Sequence, residues 1–431
     1  MLVLQALVEG MVNASSQGRR VVTRPVLFVI LSIFFISGAV YGGSTTSKIR
    51  YPDASPVRLR VNLGPEEIVL GSDAASTWGL LETMDMQISV LRQGGRYYFW
   101  LSGWFADDAA RRAGRRFGAS VRLSAQEIDT PIAALRASLQ ADPEARGYAI
   151  PAVRSAHTVP IDDDPGPTYL DEDIWTAGVW RNPETGDLLA VFHMEEYYAA
   201  NVFVPWYGSI GVAVSRDGGA TFDSRPFERR ILTSPVRFSE GRRRFENGKP
   251  EFLGHVHPTI VPVTDDDGRK YLYLYSGYDG IGVVVARSRI DGSRTGMPGT
   301  WWKYRDGRWD EPGLGGLATR ILGEDVGGGA MSASYNDYLG RYLLVFLYET
   351  GDEREGIYFM TSADGVTGWS EPLLLVRGPT SPGNRLWLNF PSMIGIGKSS
   401  THETSRENWL FYMHGGPDGS RALARRRVSI Q

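Results

Sequence analysis

The sequence predicts an all-β protein, a five-bladed β-propeller with small helical insertions. Three observations lead to this prediction: similar strand hairpins recur along the chain, they repeat at a nearly constant interval, and two Asp-box turns follow strands of the repeat. The interval is marked by Tyr271, Tyr342 and Trp409, which are 71 and 67 residues apart. A unit of about 70 residues that occurs five times fits five blades of about four strands each.

Five hairpins supply the first two strands of each predicted blade. Each hairpin joins two β-branched or aromatic-rich segments through a polar or glycine-containing connection, and a third strand follows it. A β-sandwich with several hairpins is the alternative, although a sandwich does not require the same unit five times. The predicted hairpins are Gln87–Leu91 with Arg96–Trp100, Trp175–Trp180 with Asp187–His193, Thr259–Val263 with Lys270–Ser276, Met331–Tyr335 with Arg341–Tyr348, and Ser392–Ile396 with Trp409–His414. The predicted third strands are Ala119–Ser124, Ile210–Ser215, Ile281–Arg287, Gly356–Ser362 and Arg421–Arg427.

The Asp-box motif, Ser-x-Asp-Gly-Gly-x-Thr-Phe/Trp, occurs at Ser215–Phe222, and a degenerate copy occurs at Ser362–Trp369. In such a turn the Asp side chain accepts backbone N–H groups, and glycine adopts positive φ at low cost. We therefore expect Asp217 and Asp364 to be structural. A functional site is expected at the opposite end of the strands.

The segments outside the repeat set the domain limits. Residues 81–431 form the predicted propeller, and residues 45–80 form an N-terminal extension. Within that extension, Val57–Leu63 or Glu67–Leu70 is expected to complete the last blade, which lacks a long outer strand of its own. Helical insertions are predicted at Asp107–Arg116 and Glu127–Arg146.

Residues 1–44 read as a signal peptide or an N-terminal membrane anchor. Three arginines precede an apolar run from Val26 to Val40, and small residues follow it, which is the composition of a secretory signal. The run is shorter than the roughly 20 apolar residues of a spanning helix, which favours a cleaved signal over an uncleaved anchor. In either case the remainder is expected to be exported: periplasmic, extracellular or membrane-anchored and facing outward. The chain contains no cysteine, so disulfides and thiolate sites are excluded.

The functional residues are expected where the starts of the innermost strands and the ends of the second strands meet near the propeller axis. Carboxyl groups at such a mouth suit glycoside cleavage, in which one protonates the leaving oxygen and another activates water or attacks carbon. At most one of the neighbouring Glu195 and Glu196 is expected to be catalytic, Asp85 has a turn-capping alternative, and the histidines have structural or metal-binding alternatives. The candidate catalytic residues are Asp85, Glu195, Glu196 and Glu349, and the candidate substrate-binding residues are Trp104, Asp173, His255, His257, Tyr278, Asn389 and His414.

Two sets of residues resemble known families. Met84–Val90 followed by Gly95-Arg96-Tyr97-Tyr98 resembles the first blade of arabinanase-type enzymes in the five-bladed propeller glycosidases, which implies that Asp85 is a general base. The C-terminal part resembles a family once catalogued as domain of unknown function 4185, whose characterised members are endo-D-arabinanases. That second resemblance rests on Gly282–Arg287, Trp301–Tyr304, Trp309, Ser334–Tyr342 and Gly365–Pro372.

One departure from that family concerns its second essential acid. The matching stretch here, Leu101–Phe105, contains no acidic residue, so another strand-end acid has to supply the proton or the domain does not catalyse. We therefore expect a secreted glycoside hydrolase that acts on an extracellular or cell-wall polysaccharide, with arabinan-type substrates as one class. The alternative is a non-catalytic glycan-binding or scaffold propeller.

The expected partners follow from charge and from this resemblance. The net charge of −3 gives no reason to expect a nucleic acid, which usually requires a concentrated basic face. The expected partner is a polysaccharide or oligosaccharide, bound by a monomer with possible N-terminal membrane attachment. No cofactor is required. The resemblance leaves room for a Ca²⁺ ion on the axis, but the sequence shows no ligand set for it.

Overall fold

The computed structural model of the chain describes residues 59–74, 80–83, 85–105, 117–141, 148–150, 169–198, 206–222, 229–249, 252–278, 282–322, 330–348, 352–380, 387–418 and 420–431. These residues are mostly in β-strands. The strands in chain order are β1 (Val61–Leu63), β2 (Glu67–Leu70), β3 (Leu80–Thr83), β4 (Ser89–Gln93), β5 (Arg96–Phe105), β6 (Phe117–Ala125), β7 (Tyr148–Ile150), β8 (Tyr169–Arg181), β9 (Leu188–Tyr197), β10 (Trp206–Ser215), β11 (Arg230–Leu232), β12 (Leu253–Thr264), β13 (Lys270–Tyr278), β14 (Val283–Arg289), β15 (Trp301–Arg305), β16 (Arg308–Pro312), β17 (Met331–Asn336), β18 (Arg341–Tyr348), β19 (Gly356–Ser362), β20 (Leu373–Arg377), β21 (Trp387–Gly395), β22 (Glu403–Thr404), β23 (Glu407–Gly415) and β24 (Arg421–Ile430).

Two short α-helices occur among the described residues, α1 (Ile132–Ala141) and α2 (Phe238–Glu246). Helix α1 falls within the predicted Glu127–Arg146 but begins only after Pro131, a residue suited to the first turn of a helix rather than its interior. The predicted helix at Asp107–Arg116 lies outside the described residues, as does the whole of the predicted N-terminal signal or anchor. Helix α2 was not predicted. Neither helix is long and apolar enough to cross a membrane.

The strands pair as five sets that each contain one of the predicted hairpins, and pairing within them is antiparallel except for the parallel pair of β17 with β22. A two-residue parallel contact between β10 and β12 joins the second and third sets into one nine-stranded sheet. This contact brings Gly208 and Gly254 so close together that a Cβ on either would overlap backbone. The sets are β4–β7 with β3, β8–β11, β12–β16, β17–β20 with β22, and β21, β23 and β24 with β1 and β2.

The N-terminal strands complete the C-terminal set, as the sequence predicted. Strand β1 pairs antiparallel with β24 through Val61 and Ile430, and β2 pairs with the same strand through Glu67 and Arg425. Strand β24 spans ten residues and is longer than the predicted Arg421–Arg427. The two ends of the described chain therefore lie in one sheet.

The first strands of the five sets meet around one small cavity. Its volume is about 10 Å³, roughly the space that one water molecule needs. The lining residues come from all five sets: Gln87, Ile88, Ala177, Gly178, Thr259, Ser332, Ala333, Ser392, Thr401 and His402. We call this space the axial cavity.

The two Asp-box turns fasten neighbouring sets together. In the first, the Asp217 carboxylate accepts the backbone N–H of Thr221 at 3.0 Å, and the turn's Gly219 carbonyl accepts the indole N–H of Trp100 in the first set at 3.3 Å. In the second, the carbonyl of Gly365 accepts the hydroxyl of Tyr275 in the third set at 2.7 Å. Both turns follow the third strand of their set, which confirms their predicted structural role.

Candidate functional site

The starts of β12 and β21 carry two residues whose backbone is strained. His257 has φ of 47° and Phe390 has φ of 49°, although neither is glycine and each precedes a proline. Both lie at a register shift of their strand. Bulges and strained non-glycine residues occur preferentially at functional sites, where they redirect side chains. The result here is a contact between the two rings, whose centroids are 5.8 Å apart.

A third ring, that of His193, completes this group. We call the place where the rings of His193, His257 and Phe390 meet the mouth. The centroid of the His193 ring lies 5.7 Å from that of His257, and the His193 side chain is buried. Burial, and then the neighbouring charge of His257, holds the pKa of His193 well below its ordinary value, so this imidazole is neutral. On the other side of the group, the amide of Gln87 donates to the carbonyl of Pro258 at 2.6 Å and fixes the strained segment.

Sequence reasoning missed His193 because it sits inside an apolar strand and reads as a core residue. A signal for it was present. His193 and Glu195 are two positions apart in β9, and alternate residues of a strand share a face. The pairing of β9 with β10 runs without a register shift through this stretch, so the alternation is unbroken.

That alternation sends Glu195 and Glu196 to opposite faces of β9. Val191 packs in the cluster shared with the third set, whereas Phe192 and Met194 pack in the cluster shared with the first set. Glu195 therefore faces the third set together with His193, and Glu196 faces the first set.

The two carboxylates also differ in burial and partners. Glu196 is 0% exposed, and its Oε1 accepts the Nε–H of Arg230 at 3.0 Å within an ion pair. Glu195 is half-buried, and its Oε2 accepts the hydroxyl of Tyr197 at 2.7 Å. An arginine beside a carboxylate stabilises its charged form. Glu196 is thus placed to carry a fixed negative charge.

Asp85 lies where the first set meets the last. Its backbone N–H donates to the carbonyl of Ser102 at 3.1 Å, and its carboxylate forms an ion pair with Arg421 at the start of β24. The Arg421 guanidinium in turn lies 5.8 Å from the ring centre of Trp387, at the start of β21. Asp85 is therefore a positioned, partly exposed carboxylate at the strand-start end of the molecule.

His255 and Tyr278 form a buried polar cluster behind the strained segment. The Nδ1 of His255 lies 2.8 Å from the Ser276 hydroxyl, and its ring centroid is 4.9 Å from that of Tyr278. Burial, and next the charge of Lys303, holds the pKa of His255 well below its ordinary value. The Lys303 ammonium itself donates to the carbonyls of Thr233 and Gly316 at 2.7 Å each. His255 and Tyr278 are almost fully buried, which suits them to support the mouth from below.

The other predicted binding residues have distinct surroundings. Asn389 accepts the backbone N–H of Phe390 at 2.8 Å and so supports its strained turn. His414 lies with its Nδ1 2.9 Å from Glu66 of the N-terminal segment, and this hydrogen bond is the main cause that lowers the pKa of Glu66 to about 2.

For the remaining candidates the structure describes less. The backbone of Trp104 lies in β5, where it pairs with Glu82 and Gly118. Asp173 lies in β8, within the register shift between Leu170 and Ile174. Glu349 is outside the described residues. The structure thus brings His257 and Asn389 to one place together with His193 and Phe390, and it places Asp85 at the same end of the strands.

The axial cavity does not fit the Ca²⁺ ion that the resemblance allowed. Calcium takes six to eight oxygen ligands, usually including carboxylates, and none of the residues that line this cavity is acidic. His402 points its Nε2 at the carbonyl of Val179, 2.8 Å away. Across the described part of the chain, no group of three or more His, Asp and Glu could hold a metal ion.

The sequence matches no protein-family model and no curated protein. Solved structures that the chain resembles include glycoside hydrolases of families GH62 and GH43. The catalytic domain of a Coprinopsis cinerea GH62 α-L-arabinofuranosidase is 13% identical, with a TM-score of 0.43 over 86% of this chain and 97% of that one. A GH43 β-xylosidase/α-arabinofuranosidase from a compost metagenome is 16% identical, with a TM-score of 0.41 over 86% and 94%. A Dyadobacter fermentans protein of unknown function is 13% identical, with a TM-score of 0.39 over 81% and 77%. Because these scores and identities are low, function has to be argued from the chain's own residues.

Proposed function

We propose that the chain is a five-bladed β-propeller glycoside hydrolase whose mouth cleaves an extracellular or cell-wall polysaccharide, with furanose-containing, arabinan-type chains as the first class to test. One observation carries the proposal. The first strands of the five sets surround one axial cavity; two of these strands carry the strained His257 and Phe390, the ion-paired Asp85 precedes a third, and the buried His193 lies near the end of the second strand β9. Strain and buried polar groups at such a mouth are typical of a binding or catalytic site.

In this proposal Asp85 is the general base, because Arg421 stabilises the negative charge that a base must carry. The general acid has to be protonated before it acts, which does not suit Glu196 with its arginine partner. Glu195 is the acid to test first, since it is half-buried, accepts a hydrogen bond from the Tyr197 hydroxyl and shares a face with His193. Glu349 remains the other acid to test.

His257 and Asn389 are assigned to the sugar. His257 is half-buried at the meeting point of three rings, so part of its imidazole is open to a ligand. An imidazole and an amide donate and accept hydrogen bonds, as sugar hydroxyls require. The separation of the two catalytic carboxyl groups would then set the stereochemistry: about 5–5.5 Å for retention and about 6.5–9.5 Å for inversion.

The test is hydrolysis of a polysaccharide panel by the full chain and two matched variants. The panel holds arabinans, xylans, galactans, bacterial cell-wall arabinogalactan and the anionic polygalacturonate, with reducing ends measured. Asp85→Asn removes the charge but keeps the shape, and Asp266→Asn makes the same change in the exposed turn between β12 and β13. We expect the Asp85 variant to lose at least 100-fold in rate, the usual contribution of general base catalysis. Equal rates in both variants, or no hydrolysis of any substrate by the unmodified chain, would remove the proposal.

A second function is supported by a different observation. Asp85 and Glu196, two of the acids at these strand ends, each form an ion pair with an arginine, and a scaffold that only binds glycans needs no proton donor. This alternative predicts glycan binding without bond cleavage. Retention of a polysaccharide in an affinity gel, with no new reducing ends after prolonged incubation, would favour it.

The proposal includes export and a monomeric state. The basic and apolar pattern of residues 19–44 supports export. Sequencing the N-terminus of the protein recovered from culture medium or membranes distinguishes a cleaved signal from an anchor. Light scattering of the purified chain tests the monomeric state.

A further inference from the structure

Positive charge is concentrated in one stretch of the chain, residues 229–249, which we call the basic rim. It carries seven arginine or lysine residues and two glutamates, a net charge of +5, of which one unit is offset by the ion pair of Arg230 with Glu196; the whole chain carries −3. Widening the window to 223–251 still leaves +3. The basic residues are Arg229, Arg230, Arg237, Arg242, Arg243, Arg244 and Lys249.

The basic rim is fixed beside the proposed mouth by an aromatic cluster. Helix α2 lies within the rim, and its Phe238 and Phe245 pack on Tyr198, with ring centroids 5.2 and 5.9 Å apart. Gly241 lies against the Tyr198 hydroxyl, where a larger residue would not fit. Tyr198 directly follows β9, and Leu253 at the start of β12 belongs to the same cluster. The rim therefore lies next to the strand ends that carry Glu195 and His255.

The helix turns its cationic face outward. Phe238, Gly241 and Phe245 recur at the spacing of one helix face, which is the buried one. Arg243 lies on the other side and is exposed, as is Lys249 just beyond the helix. Arg244 pairs with Glu240 on the flank. A glycan that approaches the mouth over α2 would thus meet a basic surface.

We propose that the basic rim binds the anionic groups of a glycan, so that the chain's substrate is a polyanionic polysaccharide bearing carboxylate or sulfate groups. Arginine and lysine bind such oxyanions, and a polymer with repeated charges adds many weak contacts together. The net negative charge of the whole chain disfavours binding of the same polymer elsewhere, which directs it to the rim. The inference rests on the proposed function for the location of the substrate but concerns binding alone.

The experiment measures retardation of the full chain in native gels that contain polygalacturonate, dextran sulfate, neutral dextran or duplex DNA. The test variant is Arg243→Gln with Lys249→Gln. The matched control is Arg269→Gln with Lys270→Gln, which removes the same charge from exposed residues at the other end of β12. We expect the test variant to bind the anionic polymers about fivefold more weakly and the control to bind them unchanged, because two exposed ion contacts are lost only in the former. Raising the salt concentration should weaken binding further.

Each outcome decides the inference. Selective retardation by polygalacturonate identifies carboxylate as the recognised group, and selective retardation by dextran sulfate identifies sulfate. Equal losses in the test and control variants, stronger retardation by neutral dextran, or tighter binding of duplex DNA than of either anionic glycan would overturn it. Binding with the expected variant effect but without hydrolysis would leave this inference standing while the proposed hydrolase fails.

Discussion

Arg425 anchors the N-terminal strands to the last strand, and replacing it with methionine tests how the two chain ends are held together. Its side chain is 1% exposed. Its guanidinium donates to the Glu67 carboxylate and to the carbonyls of Ile128 and Thr130, each at 2.7 Å. It also lies 3.9 Å from the ring centre of Trp409. One cation thus joins β2, the segment before α1, and the last set.

The magnitude follows from these contacts. Breaking a buried ion pair by removing one partner costs about 3–5 kcal/mol. Glu67 is 29% exposed, so water recovers part of its hydration, and we expect a loss near 3 kcal/mol. For a large domain about 1 kcal/mol lowers Tm by about 2 °C, which gives a fall of about 6 °C.

Thermal unfolding followed by far-UV circular dichroism measures this loss. Arg427→Met is the matched control, since Arg427 lies in the same strand and pairs with Glu407 but is 52% exposed. Exposed pairs contribute less than about 1 kcal/mol, so the control should melt within about 2 °C of the unmodified chain. Equal melting temperatures for the two variants would refute the reasoning that a buried cation holds the N-terminal strands on β24.

Three further outcomes are expected. Glu66→Gln should destabilise the fold by about 2 kcal/mol at pH 7. Because the native pKa of Glu66 is lowered to about 2 and its contribution is lost on protonation, the difference in unfolding free energy between variant and unmodified chain should shrink as pH falls from 4.5 to 2. Urea unfolding at several pH values measures this difference. Glycine in a strand usually costs about 0.5–1 kcal/mol more than alanine, but the φ of 47° at position 257 strains alanine and not glycine. His257→Gly should therefore have a melting temperature no lower than that of His257→Ala. Asp217→Ala should lower stability by about 1 kcal/mol through its lost turn hydrogen bonds and leave glycan turnover unchanged, as measured by unfolding and reducing-end release.

The strand content and its repeat could be predicted because they depend on local pattern. Hairpin turns such as Gln93-Gly94-Gly95 need glycines at positive φ, and the structure has φ of 55° and 83° at Gly94 and Gly95. Helix α2 could not be predicted in the same way. Three of its nine residues are aromatic or glycine, and its formation depends on packing against Tyr198, which lies 40 residues earlier.

The site could be predicted only in part. The rule that strand starts meet near the axis led to His257 and Asn389, which the structure does place together, next to Phe390. The partners of the charged residues were beyond reach, because ion pairs such as Asp85 with Arg421 join residues separated by more than 300 positions. His193 was missed since a buried histidine in an apolar strand shows its role only once its neighbour across the sheets is known.

The central claim is that a glycan binds at the strand-start mouth and is cleaved there. A crystal structure of the full chain carrying Asp85→Asn, soaked with an oligosaccharide from the best substrate of the panel, tests it most directly. We expect a sugar ring within hydrogen-bond distance of His257, with residue 85 and Glu195 on either side of one glycosidic bond. An oligosaccharide bound away from His257, or one with no acidic side chain near any glycosidic oxygen, would contradict it.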